Sequence, residues 1–188
     1  MQDRDDGERD RFRSLYRQHY AAVLRYAARR VGAEAARDVA AETFLTAWRR
    51  LGSVPDAQPL PWLYATARRC LANEVRRRGR RNRLDARVRD EASRARETYQ
   101  EEFAEAVADR LLVLAALATL SPKDQEVLRL TEWEQLDAAA AARVMGCSSG
   151  AFKVRLHRAR RRFAQALGQQ ARPPAPASSL PPRTEISA

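Results

Sequence analysis

The stretch GCSSGAFKVRLHRARRRF, residues 146–163, carries six Lys and Arg residues and no acid, yet apolar residues recur through it at helical spacing. At about 100° per residue, Phe152, Leu156, Ala159 and Phe163 fall in one narrow stripe. Val154, His157, Arg158 and Arg161 lie opposite, with Lys153 and Arg155 on the two flanks. The segment therefore has an apolar face that can dock and a basic face that must stay in water. Ser148 or Ser149 can cap its start by accepting a backbone N–H. Gly146 suits the left-handed residue that ends a preceding helix. That helix is LDAAAAARVMG, with Asp137 as N-cap and Ala141, Val144 and Met145 as its apolar side. Two short helices joined by a Gly turn, the second one basic, describe a helix-turn-helix. Charge alone would fit a solvated surface helix; cap, turn and stripe together favour the motif.

The distribution of charge supports a polyanionic partner. The chain carries a net charge of +11, with eight Arg and one Glu in residues 68–83 and six cations in residues 148–163, so the remainder is slightly acidic. Two separated basic patches suggest two contact points on one long polyanion. No apolar run is long enough to span a bilayer, and the start MQDRDDGERD is unlike a signal peptide, so a cytoplasmic protein with no membrane insertion is expected. Cys70 and Cys147 form no CxxC and have no nearby His, so buried packing rather than a metal site is expected, and no cofactor.

Almost every segment reads as helix, which predicts an all-α protein. Residues 11–31 place Phe12, Leu15, Tyr16, Tyr20, Val23, Leu24, Ala27 and Val31 at i, i+3, i+4 spacing, and residues 34–51 do the same with Val39, Phe44, Leu45, Trp48 and Leu51. GSVPDAQPLP, 52–61, is a loop, because Pro55, Pro59 and Pro61 remove donors and bias their predecessors away from helix. Pro61 fits the first turn of the next helix, WLYATARRCLANEVRRR. Residues 81–108 mix charges with few large apolar groups and read as a flexible linker, helical in its second half. Leu111, Leu114, Leu117 and Leu120 then pack one side of a helix that stops at Ser121-Pro122, where Ser121 caps the next. Two small helical domains follow, 10–80 and 109–168, the second holding the helix-turn-helix, with a disordered Pro-rich tail over 169–188.

Three motifs in this order resemble those of the extracytoplasmic-function sigma factors, the small promoter-recognition subunits of bacterial RNA polymerase. ARDVAAETFLTAWRRL (36–51) resembles the family's acidic-then-aromatic helix, PWLYATARRCLANEVRRR (61–78) its promoter-melting helix, and LATLSPKDQEVLRL with the helix-turn-helix its C-terminal domain. The resemblance covers residues 11–168. It departs from the usual pattern at Ala41, Arg69, Asn73, Ala139, Ala140, Ala151 and Val154. The resemblance implies a non-enzymatic subunit that binds core polymerase, through the β′ clamp and the β flap, and directs promoter-specific initiation. It also implies promoter DNA as a partner and an anti-sigma factor as inhibitor.

On that resemblance the helix-turn-helix docks in the major groove of the −35 element. Lys153, Val154, His157 and Arg158 are expected at base edges, and Arg155, Arg161 and Arg162 at phosphates. The −10 element falls to the loop and the following helix: Asp56 and Gln58 are candidates for an extruded base, Asn73 for hydrogen bonds, and Arg68, Arg69, Arg76, Arg77 and Arg78 for charge. Trp62 and Tyr64 have the spacing of core residues rather than stacking platforms. Asp38, Glu42, Thr43, Phe44 and Trp48 are expected at the polymerase, with Asp38 and Glu42 forming an acidic edge at i, i+4. A stand-alone helix-turn-helix repressor or activator is the alternative, but it leaves the acidic-aromatic helix and residues 68–83 without a task. A nuclease or recombinase fits less well, since the acids are scattered and no nucleophile constellation or P-loop is present.

Overall fold

The computed structural model describes residues 2–85 and 104–170, with side chains over 6–77 and 109–170. Six helices run α1 (Gln2–Arg49), α2 (Pro59–Asp85), α3 (Ala104–Ala118), α4 (Pro122–Glu132), α5 (Ala138–Met145) and α6 (Ser149–Gln170), with a 3-10 turn at Leu51–Ser53; no strand occurs among the described residues. The all-α architecture expected from the periodicity is present. The two segments read as 11–31 and 34–51 form one element that starts nearer the N-terminus, broken only at Gly32, whose φ of 80° and ψ of 167° turn the chain. That region of backbone space is essentially restricted to glycine. The break separates two arms with different stripes. Leu15, Val23, Tyr26 and Ala27 are buried from the first arm, and Ala36, Val39, Ala40, Phe44 and Ala47 from the second.

Helix α2 buries Leu63, Tyr64, Ala67, Cys70 and Leu71 against both arms. Alanines at 27, 36, 40, 47 and 67 remove side-chain bulk at these contacts, letting the backbones approach. In the C-terminal half, α4 begins as the sequence implies: Ser121 Oγ accepts the Asp124 N–H at 3.2 Å and Pro122 takes the first helical position. Val127, Leu128 and Leu130 of α4 share a core with Ala141, Ala142 and Val144 of α5 and Phe152 and Ala159 of α6. Helix α3 departs from the expected stripe, for Leu117 and Leu120 are buried while Leu111 and Leu114 are exposed. The three-helix core behind α3 is wide enough to cover only its last turns.

The two halves touch. Helix α5 packs along α2, and the buried cluster continues from one half into the other. Helix α2 runs to Asp85 and α3 starts at Ala104, so helix occupies both ends of the expected linker, whose residues 86–103 lie outside the described residues. Helix α6 reaches Gln170, and the rest of the expected disordered tail, 171–188, also lies outside them. Among the described residues no helix is long and apolar enough to cross a membrane.

No atom lies within 4 Å of a Cβ built at Gly32 or Gly168, so substitution there tests backbone preference alone. Gly32→Ala should destabilise the protein by about 1–3 kcal/mol. Gly168→Ala, inside regular helix, should be neutral or stabilising by up to about 1 kcal/mol. Thermal unfolding followed by circular dichroism should show the midpoint falling for Gly32→Ala and holding or rising for Gly168→Ala.

Candidate nucleic-acid and polymerase interfaces

The helix-turn-helix is held by its caps. Asp137 accepts the Ala140 N–H at 2.7 Å, and Gly146 closes α5 in the left-handed conformation, φ 65° and ψ 42°. Of the two candidate serines at the start of α6, Ser148 makes the cap, accepting from Ala151 N at 3.2 Å. Phe152 and Ala159 are buried and Leu156 and Phe163 partly so, as the stripe requires. Lys153, Arg155, His157, Arg158 and Arg161 all stand in solvent, as does Val154 at 52% exposure. Arg162 is also exposed, but its Nη1 lies 2.7 Å from Asp124 Oδ2, which turns it back along α4. The arrangement presents a continuous basic ridge with one apolar side chain in it.

The second patch divides in two. Arg69, Asn73 and Arg76 recur at i, i+4 and i+7 on the exposed face of α2, where Arg76 donates to Asn73 Oδ1 at 2.5 Å. Arg77 is exposed beside Glu74 at 3.9 Å. The side chain of Arg78 lies outside the described residues. Arg68 departs from the expected group: it is half-buried in the cleft between the halves, with Tyr26, Arg30, Glu126 and Arg129. Tyr64 is buried and stacked on Tyr26, ring centroids 4.5 Å apart, and Trp62 is partly buried, so both belong to packing. Burial, followed by the charge of Glu134, pushes the Tyr64 phenol up to about 12.

The loop before α2 depends on a residue that the sequence did not single out. Arg11 donates to the carbonyls of Leu51 and Val54 at 3.0 and 2.7 Å and pairs with the exposed Asp56 at 2.6 Å. The Leu51 carbonyl also accepts the Val54 N–H at 3.1 Å, whereas Val54 is followed by Pro55, which has no N–H to offer, and takes its donor from Arg11. A cavity of about 260 Å³ lies between α1 and the loop, lined by polar groups of Arg11, Ser14, Gln18 and Asp56 above Leu15 and Leu51. Gln58 is exposed at the loop's far end, its Oε1 accepting from Arg143 of α5.

On the second arm of α1, Asp38 and Glu42 are exposed on one edge. Leu45 and Trp48, the latter 40% exposed, continue that side, with the indole edge-on to Phe12 at 5.1 Å. Thr43 and Phe44, expected at the polymerase with these residues, are buried behind that edge. The Thr43 hydroxyl donates to Val39 O at 2.7 Å, and Phe44 packs edge-on against Tyr16 at 4.9 Å. These two brace the helix from behind, while Leu45 shares the exposed side with the acids.

Two family models match the halves in order: Sigma-70 region 2 over residues 15–81 and Sigma-70 region 4 over residues 110–163. The ECF RNA polymerase sigma factor SigL of Mycobacterium tuberculosis is 36% identical over 162 residues, covering 83% of this chain and 90% of that protein. The chain is an extracytoplasmic-function sigma factor. It is also 34% identical over 171 residues to the ECF RNA polymerase sigma factor BldN of Streptomyces coelicolor, covering 88% of this chain and 64% of BldN. The fold is that of the sigma factor RpoE solved with the anti-sigma factor NepR from Bartonella quintana, with a TM-score of 0.63, 23% identity, and 84% and 96% of the two chains covered. As a sigma factor it binds core RNA polymerase and DNA and directs promoter-specific initiation.

Phe44 and Leu45, neighbours on this arm, differ in burial and so in what they contribute to stability. Phe44→Ala should cost about 3–5 kcal/mol of stability through the cavity it leaves. Leu45→Ala, on the exposed side, should cost less than about 0.5 kcal/mol. Chemical denaturation of the two variants measures the contrast.

Proposed function

We propose that the sigma factor reads the −35 element with α6 and opens and holds the −10 element with the 52–60 loop and the exposed stripe of α2. The observation that carries this reading is the exposed ridge of α6, five cations and Val154 set opposite a buried Phe152. Such a ridge fits the major groove, where Arg and Lys pair with guanine O6 and N7 and Val154 can meet a thymine methyl, each good contact discriminating by roughly 1–3 kcal/mol. Lys153, Val154, His157 and Arg158 take the base edges; Arg155, Arg161 and the tethered Arg162 take phosphates. On the other half, Arg69, Arg76 and Arg77 supply charge along a single strand, Asn73 a two-sided hydrogen-bonding group, and Asp56 and Gln58 polar edges for an unstacked base.

The acidic edge of α1 repels DNA and therefore has a protein partner. Asp38 and Glu42, flanked by the exposed Leu45 and Trp48, suit a basic helical surface with apolar side chains between its cations, as implied for the β′ clamp. The C-terminal half carries an apolar groove lined by Val113, Leu117, Leu128, Trp133 and Phe163, which suits the β flap. RpoE of Bartonella quintana is held by the anti-sigma factor NepR, and by likeness an inhibitor of that kind is the expected regulator here. The protein works in the cytoplasm with the polymerase and performs no catalysis of its own.

Two measurements test the assignment. Arg158→Ala should relax preference at one upstream base pair at a cost of roughly 1–3 kcal/mol. Arg76→Ala and Arg77→Ala should weaken binding across sequences with a shallower salt dependence. Binding to a panel of single-base promoter variants at several salt concentrations distinguishes the two; a uniform loss for Arg158→Ala would make α6 a phosphate clamp. Charge reversal of Asp38 and Glu42 should weaken core polymerase binding while circular dichroism stays helical. Unchanged affinity would return those acids to the role of solvated surface.

A further inference from the structure

Nothing in the promoter assignment gives a task to Arg11, yet no other side chain of α1 meets the loop before α2 so fully. Its Nη1 donates to the Leu51 carbonyl at 3.0 Å and its Nη2 to the Val54 carbonyl at 2.7 Å. Asp56 Oδ1 sits 2.9 Å from Nε and 2.6 Å from Nη2 of the same guanidinium. One planar group therefore spans the turn from Leu51 to Asp56, meeting two backbone acceptors and one carboxylate.

The anchor itself is firm. Phe12, the next residue, lies edge-on to Trp48 at 5.1 Å and to Phe44 at 6.4 Å, and Leu15, one turn on, is buried. Packing thus fixes the backbone that carries Arg11, and a guanidinium fork on fixed backbone loses little freedom when it bonds. The loop has less support of its own. A cavity of about 260 Å³ separates it from α1, and Ser14 and Gln18, which line that cavity, hydrogen-bond to each other at 3.1 Å. Leu51 and Val54 are buried, but from Pro55 to Gln58 every residue is exposed. Apolar burial is non-directional and locates the two ends of the turn; hydrogen bonds orient what lies between them.

The pair with Asp56 adds little to stability, because that carboxylate side chain is 86% exposed. Its effect is local. An exposed carboxylate in a loop that meets nucleic acid repels phosphates, and the guanidinium beside it offsets that charge while holding one of its oxygens still.

We infer that Arg11 is a positioning residue for the −10 element: without touching DNA, it holds the Leu51 and Val54 carbonyls and the Asp56 carboxylate in the arrangement from which the loop selects a base. A lysine in its place would keep the charge, but as a point charge on a flexible stem it could not reproduce the fork. Base selection needs groups held at fixed positions, whereas attraction to phosphate needs only charge. Shape at this anchor, rather than charge, is then what sets the downstream preference. The inference rests on the assignment of the −10 element to this loop.

The test uses holoenzyme assembled from the full chain and bacterial core polymerase, on a promoter pool randomised at both elements, with the transcripts sequenced. Native holoenzyme should enrich a preferred base at one or more downstream positions at least about fivefold over the others. Arg11→Lys and Arg11→Ala should each reduce that enrichment to less than about twofold, while the upstream enrichment read by α6 stays native. Val23→Ala, buried in the same arm away from the loop, should lower the thermal midpoint and keep both preferences, which separates lost positioning from lost stability. Downstream preference retained by Arg11→Lys overturns the proposal, since charge would then suffice. Upstream and downstream preferences falling in step in the Arg11 variants, or a Val23→Ala that loses the downstream preference as well, also overturn it. A downstream preference that Asp56→Asn and Gln58→Ala leave untouched takes the −10 element away from the loop, and the proposal with it. One that moves with those two substitutions but not with Arg11→Lys overturns the proposal alone.

Discussion

A guanidinium almost removed from water governs how this molecule is arranged. Arg30 lies on the first arm of α1, two residues before the Gly32 break, and its carboxylate partners come from the other half of the chain. An ion so placed is tolerated only if its donors are met, and here two glutamates, a backbone carbonyl and an aromatic face meet them. These contacts tie α1 to α4 and the turn after it, while α5 packs along α2. Nearby Arg129 feels the opposite effect: burial, then the like charge of Arg30, lowers its pKa. The site accommodates one strongly paired cation and penalises its neighbours.

The chain's 35 Lys and Arg residues therefore do several kinds of work. Arg11 ties the loop before α2 to α1 through the Leu51 and Val54 carbonyls. Arg29, Arg30 and Arg143 join the halves. Arg162 folds back on Asp124, and Arg160 on Glu132. The cations left standing in solvent on α6 and on the Arg69–Asn73–Arg76 stripe are those a polyanion can reach. Net charge alone cannot make this division, because Coulomb attraction to DNA is felt by every exposed cation, whereas specificity needs side chains held at fixed positions.

Aromatic residues show the same separation. Phe12, Tyr16, Tyr20, Phe44 and Trp48 form one connected group at the meeting of the two arms of α1. The group is buried at Phe44 and opens to solvent at Tyr16 and Trp48. Rigid packing at its inner edge positions the outer edge beside Asp38 and Glu42. A surface built this way costs little to order on binding any partner, because its aromatic members are already held.

The helix-turn-helix was legible in the sequence because its determinants are local. Asp137, Gly146 and Ser148 act within three or four residues of themselves, and the Phe152–Leu156–Ala159–Phe163 stripe follows from helical geometry alone. The basic ridge opposite could be read for the same reason. Periodicity also located the buried faces of α1 and α2, though it could not tell that Thr43 and Phe44 would be buried behind the exposed Asp38 and Glu42. Nor could it tell that Leu111 and Leu114 would lie beyond the reach of the core. Those outcomes depend on what stands opposite, and so do the contacts of Arg11, Arg30, Arg68 and Arg143, whose partners are 40 or more residues away or in the other half. Sequence determined which segments are helices and which of their faces carry charge. Tertiary structure decided which charges face water and which face each other, because pairing across a fold is set by distances that no local spacing encodes.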